Sequence, residues 1–254
     1  MVALKLDFPP VSGLSQDTEW CHLHVDGVQE VLRFHDYGRI FSVPGLYEEL
    51  FYSKLQCTSP RTIAGLLKDA LAEAGGTPGS LRGLDLGAGN GMVGEALLQL
   101  GVSSLVGADI ITEAETAARR DRPGVYADYV VADFPRLDEA TRQRLQAPRF
   151  NLLASVAALG FGDIPSRAFA TAWSLLETPA WVAFNIKEDF LSPQYQHGFS
   201  LLVKRLVDSG LLEVHRRHAY VHRLALDGTP LRYLALVGIK RGEIPSEWWE
   251  KLDD

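Results

Sequence analysis

The apolar positions change their period twice along the chain. Residues 18–34 carry two β-prone runs on either side of Asp26-Gly27, a strong two-residue turn signal, and predict a hairpin. Over 45–57, Leu46, Leu50, Phe51 and Leu55 recur at roughly helical spacing. A second helix is predicted after Ser59-Pro60, where an N-cap residue precedes a proline. Ile63, Leu66, Leu67, Ala70 and Leu71 give it an apolar face, and Gly75-Gly76 stops it. Residues 1–15 contain proline and serine and read as an irregular arm.

From residue 81 the pattern becomes strand–helix alternation. Short apolar strands are predicted at 81–86, 104–108, 126–131, 150–155 and 180–186. Helical stretches lie at 91–100, 112–120, 137–145, 165–177 and 194–209. Such units predict a doubly wound α/β fold, a parallel sheet covered on both faces. The end of the chain differs. Two long β-prone runs, 211–223 and 230–240, flank Asp227-Gly228 and predict an antiparallel hairpin.

Composition narrows the class of partner. The chain has 254 residues, of which 46% are hydrophobic and 22% charged, so it can bury a core without staples. Its formal net charge of −7 lacks the basic footprint of a nucleic-acid binder and disfavours such a partner. Two cysteines make no disulfide framework and suit a reducing, cytoplasmic compartment. Lys5 and Asp7 interrupt the first apolar run, which does not read as a signal peptide. No stretch approaches the ~18 apolar residues of a membrane span.

The densest chemistry lies at Leu84-Asp85-Leu86-Gly87-Ala88-Gly89-Asn90-Gly91, after a predicted strand and before a helix. A Walker loop ends in Gly-Lys-Ser/Thr, and here Met92-Val93 follows. A nicotinamide fingerprint needs glycine at position 92. The acid two residues before the first glycine repels a pyrophosphate and suits a ligand with a positive amino group.

This segment resembles motif I of the class I S-adenosylmethionine-dependent methyltransferases. The resemblance covers about residues 60–240. It implies a mostly parallel seven-stranded sheet ending in the antiparallel hairpin, with S-adenosylmethionine as cofactor. Cofactor contacts are then expected from Asp85, Gly87, Ala88, Gly89, Asn90 and Gly91. Asp109, with Ile110 beside it, closes the second strand, where the family's acid accepts the ribose hydroxyls. Asp133 and Phe134 match the adenine-contacting segment, with Asp133 accepting the amino group and Phe134 packing on the ring. Ser155 lies in the fourth-strand motif, which passes the methionine part. Asn151 stands where many relatives carry an acid, and Gly160-Phe161 where they carry a His pair. The Asp/Asn-Pro-Pro-Tyr signature of base and glutamine methylation is replaced by Ser155-Val156-Ala157-Ala158.

Expected domains are an N-terminal extension at 1–58, a cofactor-binding domain at 59–242 and an acidic tail at 243–254. The extension is either a lid over the site or a linker from hairpin to helix. His35, Tyr37, Tyr47 and Lys187 are candidate substrate contacts, although Lys187-Glu188-Asp189 also fits a solvated charge run. Cys21, His22 and His24 alternate along a strand and lack a second ligand cluster, so no metal site is expected. His215, His218 and His222 read as surface or cross-strand packing on an edge hairpin. Trp248-Trp249 is expected to cap an apolar patch. A small-molecule methyltransferase is the leading reading. A protein or RNA methyltransferase and a non-catalytic S-adenosylmethionine-binding module are the alternatives.

Overall fold

A computed structural model describes residues 4–10, 13–159, 164–191 and 198–249. The chain begins with a three-stranded antiparallel sheet of β1 (Lys5–Asp7), β2 (Trp20–Val25) and β3 (Val28–Arg33), in that order. Asp26 and Gly27 both take positive φ, the backbone a tight hairpin turn requires. Residues 5–7 are therefore a paired strand and not part of an irregular arm, with Leu6 opposite Leu23. Along β2, Cys21, Leu23 and Val25 are buried and the two histidines share the other face. Among the described residues no group of three His, Cys, Asp or Glu is placed to hold a metal ion.

Helix α1 (Tyr37–Ser42) follows, then a π-helical turn over Glu48–Lys54. The sequence spacing predicts an ordinary helix over 45–57; the structure has this wider coil. Its bonds run five and six residues back, from Leu55 N–H to the Leu50 carbonyl and from Cys57 N–H to that of Phe51. The coil turns Leu50 and Phe51 into an apolar cluster with Leu46, Phe34 and the β2 side chains.

Helix α2 (Ser59–Glu73) leads into the alternating region: β4 (Arg82–Leu86), α3 (Met92–Leu100), β5 (Ser104–Asp109), α4 (Thr112–Asp121), β6 (Asp128–Val131), α5 (Glu139–Gln146), β7 (Phe150–Ser155), α6 (Ser166–Ser174), β8 (Leu176–Lys187) and α7 (Gly198–Asp208). Strands β9 (Leu212–Leu224) and β10 (Pro230–Lys240) form the closing hairpin, and α8 (Ser246–Trp249) follows. Residues 194–197 of the predicted seventh helix lie outside the described residues. The seven strands run in the order β6-β5-β4-β7-β8-β10-β9. All pair in parallel except β10, which is antiparallel to both β8 and β9. Side chains alternate between the two faces. Leu84, Leu153, Val182 and Phe184 join α6 and α7 in one apolar layer, while Leu152, Ala154 and Ala183 join α2 and α3 in the other.

This order reverses between β4 and β7. Open α/β sheets bind ligands at such a switch point, outside the carboxyl ends of the strands. The N-terminal extension is fastened near it. Leu224 N–H donates to the Leu55 carbonyl at 2.7 Å, and Thr58 bonds β9 through its N–H and its hydroxyl. Buried Arg223 on β9 pairs with buried Glu19 at 2.6 Å. Trp248 and Trp249 pack against the larger core layer, in the capping role expected for them. No helix among the described residues is long and apolar enough to cross a membrane.

Candidate functional site

The glycine loop leaves β4 at its carboxyl end and turns through positive φ at Gly87, Gly89 and Gly91. A side chain would clash at Gly87 and crowd its neighbour at Gly89. A Cβ on Gly87 would sit 2.7 Å from Ile164 and 2.8 Å from Ala158, and one on Gly89 would sit 3.0 Å from Phe41. The loop's amides are largely consumed within the fold. Gly87 and Ala88 N–H donate to the Ala108 carbonyl, Gly91 N–H to the Ala88 carbonyl, and Gly89 N–H to the Asp109 carboxylate at 2.9 Å. A pyrophosphate cradle needs those donors free, so this loop is not one.

Asp85 lies one layer beneath, fully buried. Its Oδ2 accepts the Tyr126 hydroxyl at 2.6 Å, and its Oδ1 has no hydrogen-bond partner among the described residues. Burial pushes its carboxyl up to about 7, against the pull of the Tyr126 hydroxyl. At the end of β5, Asp109 also accepts Ile111 N–H, at 3.1 Å. Burial raises its pKa above the ordinary value, and its amide donors pull the other way.

A cavity of about 340 Å³ opens over this loop, within the range of small-ligand sites. Gly87, Ala88, Gly89, Asn90, Asp109, Ile110, Asp133 and Phe134 line one part of it. Ile110 is 64% exposed, unusual for a large aliphatic side chain and explained here by its place on the cavity rim. Phe134 is buried and serves the core as well as the cavity wall. Asp133 is exposed, with Arg136 at 4.0 Å. Asp85, Gly91 and Ser155 do not line the cavity; the Ser155 hydroxyl supports the root of the loop, donating to the Leu86 carbonyl at 3.0 Å.

The N-terminal extension builds the opposite wall. His35, Tyr37, Phe41, Tyr47 and Tyr52 all line the same cavity. The rings form a ladder, with Tyr37 stacked on Phe41 and Phe41 on Tyr47, the latter pair with centroids 5.3 Å apart. Arg122 holds this wall to the loop. Its guanidinium donates to Glu48 at 2.7 Å, to Glu95, to the Asn90 carbonyl and to the Met92 sulfur. The Asn90 side chain, 1% exposed, also donates to Glu48. Arg120 donates to the Phe41 carbonyl.

Lys187 is not among the residues lining the cavity; its Nζ lies 3.3 Å from Asp189. Asn151 sits at the amino-terminal end of β7, far along the strand from the cavity. Its amide accepts Arg82 N–H and donates to the Ser80 carbonyl. Gly160 and Phe161 lie outside the described residues.

Of the two readings of His222, cross-strand packing holds and surface exposure does not. His222 is buried against Tyr233, because its alternation on β9 points it at α2 and not at solvent. Its Nδ1 lies 2.6 Å from the Ser59 hydroxyl, which lies 2.6 Å from the Tyr220 hydroxyl. Asn185 donates to both hydroxyls, and its Oδ1 accepts Ala157 N–H at 2.7 Å. Ala157 lines the cavity with φ +60°, a conformation an alanine adopts only when held. Burial, reinforced by Arg223, pushes the His222 imidazole down to about 3. His215 and His218 do pack laterally, on Trp181 and Tyr220.

No protein-family profile matches this sequence, and no curated protein matches it. Solved structures do match in fold. The N-methyltransferase NodS from Bradyrhizobium japonicum, in complex with S-adenosyl-L-homocysteine, superposes with TM-score 0.53 at 14% identity, over 82% of this chain and 98% of that one. Magnesium protoporphyrin IX methyltransferase from Synechocystis, with bound SAM, gives 0.52 at 16% identity, over 81% and 97%. An S-adenosylmethionine-dependent methyltransferase from Clostridium acetobutylicum gives 0.51 at 12%, over 78% and 96%. The chain has the class I S-adenosylmethionine-dependent methyltransferase fold.

Proposed function

We propose that this protein is an S-adenosylmethionine-dependent methyltransferase acting on a small-molecule acceptor. The observation that carries this reading is the glycine loop. Its amides are spent inside the fold, and acids stand at the ends of β4, β5 and β6. That set of acceptors, with the amide donors largely spent, suits a nucleoside with a cationic, phosphate-free extension and disfavours a dinucleotide. Two structures of the same fold carry S-adenosylmethionine or its demethylated product.

In this reading Asp109 accepts the ribose hydroxyls. Ile110 and Phe134 flank the adenine, and Asp133 takes its amino group. Gly87 through Gly91 leave room for the methionine part, with Asp85 and Ser155 fixing the loop from beneath. When bound, S-adenosylmethionine supplies an activated methyl, so the chain's own tasks are to align an acceptor and exclude water. His35, Tyr37 and Tyr47 are assigned to the acceptor side. Lys187 is left out, because it does not line the cavity. The extension over 35–57 acts as a lid. A closed aromatic wall favours a small acceptor over a protein or RNA chain. The two free cysteines suit a reducing, cytoplasmic setting.

The test is transfer of labelled methyl from S-adenosylmethionine to an extract separated into small-molecule, protein and RNA pools. Label in the small-molecule pool is expected. Label confined to protein or RNA would favour a macromolecular acceptor. Bound cofactor with no transfer to any pool would leave a binding module.

A further inference from the structure

Behind the aromatic wall lies a second, much smaller cavity of about 30 Å³, room for little more than one water or one hydroxyl. It shares His35, Tyr37, Tyr47, Ala157 and Ala158 with the main cavity, so the two adjoin. Its polar lining comes from far-apart parts of the chain: Gln16 before β2, His222 on β9 and Tyr233 on β10.

We infer that this chamber anchors the polar end of the acceptor, and that this end is an uncharged phenol-type hydroxyl on a flat ring. The inference rests on the methyltransferase reading above.

Gln16 is 9% exposed. Its Nε2 donates to the Tyr233 hydroxyl at 2.8 Å, while its Oε1 is buried with no partner among the described residues. An unpaired buried carbonyl is costly, and a ligand that brings a donor removes that cost. His222 supplies the complementary group. The two Asn185 Nδ2 hydrogens go to Tyr220 and Ser59. The Tyr220 proton then goes to the Ser59 oxygen, and the Ser59 proton to His222 Nδ1. This is the arrangement that uses every proton of the chain, and it leaves Nε2–H as the ring's remaining donor. One unpaired acceptor and one donor together describe a hydroxyl.

Charge is excluded by the same walls. Arg223 is the one permanently charged residue lining the chamber among the described residues. It is buried against Glu19 at 2.6 Å, so it offers nothing to an anion. A cation would meet that guanidinium beside a neutral imidazole. Flatness follows from the ring ladder of Tyr37, Phe41, Tyr47 and Phe51 between the two cavities.

The probes are p-cresol, its isostere p-xylene, which lacks the hydroxyl, and p-toluate, which carries a carboxylate in the hydroxyl's place. Ligand-observed NMR reads their binding to the full chain with S-adenosyl-L-homocysteine present, and calorimetry reads binding of that nucleoside in the same samples. The expected result is saturable p-cresol binding, at least tenfold tighter than p-xylene or p-toluate. Gln16→Leu should remove the preference over p-xylene and leave nucleoside affinity within twofold. Nucleoside binding with no p-cresol preference in the wild type, or with a preference untouched by Gln16→Leu, overturns this inference alone. A wild-type chain that does not bind the nucleoside overturns the methyltransferase reading and this inference with it. The wild-type comparison of the three probes needs no variant to fold.

Discussion

The Asp109 carboxylate accepts the Gly89 amide at 2.9 Å, joining the end of β5 to the middle of the glycine loop. It also accepts Ile111 N–H at 3.1 Å, so one side chain fixes both the loop and the start of α4. Removing it does two things. Asp109→Ala should weaken S-adenosylmethionine binding by about 2–4 kcal/mol, because charge-assisted bonds to the ribose are lost. It should also lower stability without ligand by about 1–2 kcal/mol, since two amides lose their acceptor. Calorimetry and thermal melts separate the two effects. Unchanged affinity would remove Asp109 from the cofactor site.

Asp85 sets a pH dependence. Its folded-state pKa of about 7 lies above the ordinary 3.8, so the folded protein holds an extra proton between those values. Stability from this group is therefore fully present below pH 4 and is lost as pH rises through about 7. Asp85→Asn keeps an acceptor for Tyr126 and removes the titration. Across this window the wild type should lose on the order of 4 kcal/mol relative to Asp85→Asn. Chemical denaturation of both proteins from pH 4 to 7.5 checks the slope; parallel curves would contradict it.

Arg122 is the clamp between the aromatic wall and the loop. Its side chain is 9% exposed and serves Glu48, Glu95 and the Asn90 carbonyl. Arg122→Leu should cost about 1–3 kcal/mol, less than breaking a fully buried ion pair because Glu48 and Glu95 are partly exposed. Hydrogen exchange should rise chiefly over residues 37–57 and much less in β4 and β5. Wild-type protection over 35–57 should increase when S-adenosylmethionine is added, as a lid requires. Equal protection with and without cofactor would reduce the segment to a linker.

Asn185 holds Ala157 in its positive-φ conformation and joins it to Ser59 and Tyr220. Asn185→Leu leaves a buried amide and two buried hydroxyls short of partners. It should destabilise the protein by about 2–4 kcal/mol. A melt within a degree of the wild type would show that the polar chain reorganises freely.

Much of the sheet was legible because each strand is a short apolar run between helical stretches, and because Asp227-Gly228 marks the last hairpin. The glycine loop was legible from its own residues, and Asp85, Asp109 and Asp133 from the family resemblance, which expects acids near the ends of β4, β5 and β6. Five features were not. Lys5–Asp7 is too short a strand for alternation to register. Leu46, Leu50 and Leu55 fit a 3.6-residue period poorly, and the wider π-helical coil accounts for the mismatch. Gln16 carries no local signal, since its partner Tyr233 lies 217 positions away. His222 shares its strand face with Tyr220, and that parity was the available clue to its burial. The spending of the loop's amides on Ala108, Ala88 and Asp109 is a property of the folded loop, invisible to a motif.

Direct binding tests the central claim. Calorimetry of the purified chain with S-adenosylmethionine and with S-adenosyl-L-homocysteine should give micromolar dissociation constants, on the order of −7 to −8 kcal/mol. Nicotinamide dinucleotides should not compete, because most of the loop's amides are spent within the fold and not left to hold a pyrophosphate. Folded protein that gives neither heat nor thermal shift with either nucleoside, or that binds a dinucleotide in their place, would contradict the account.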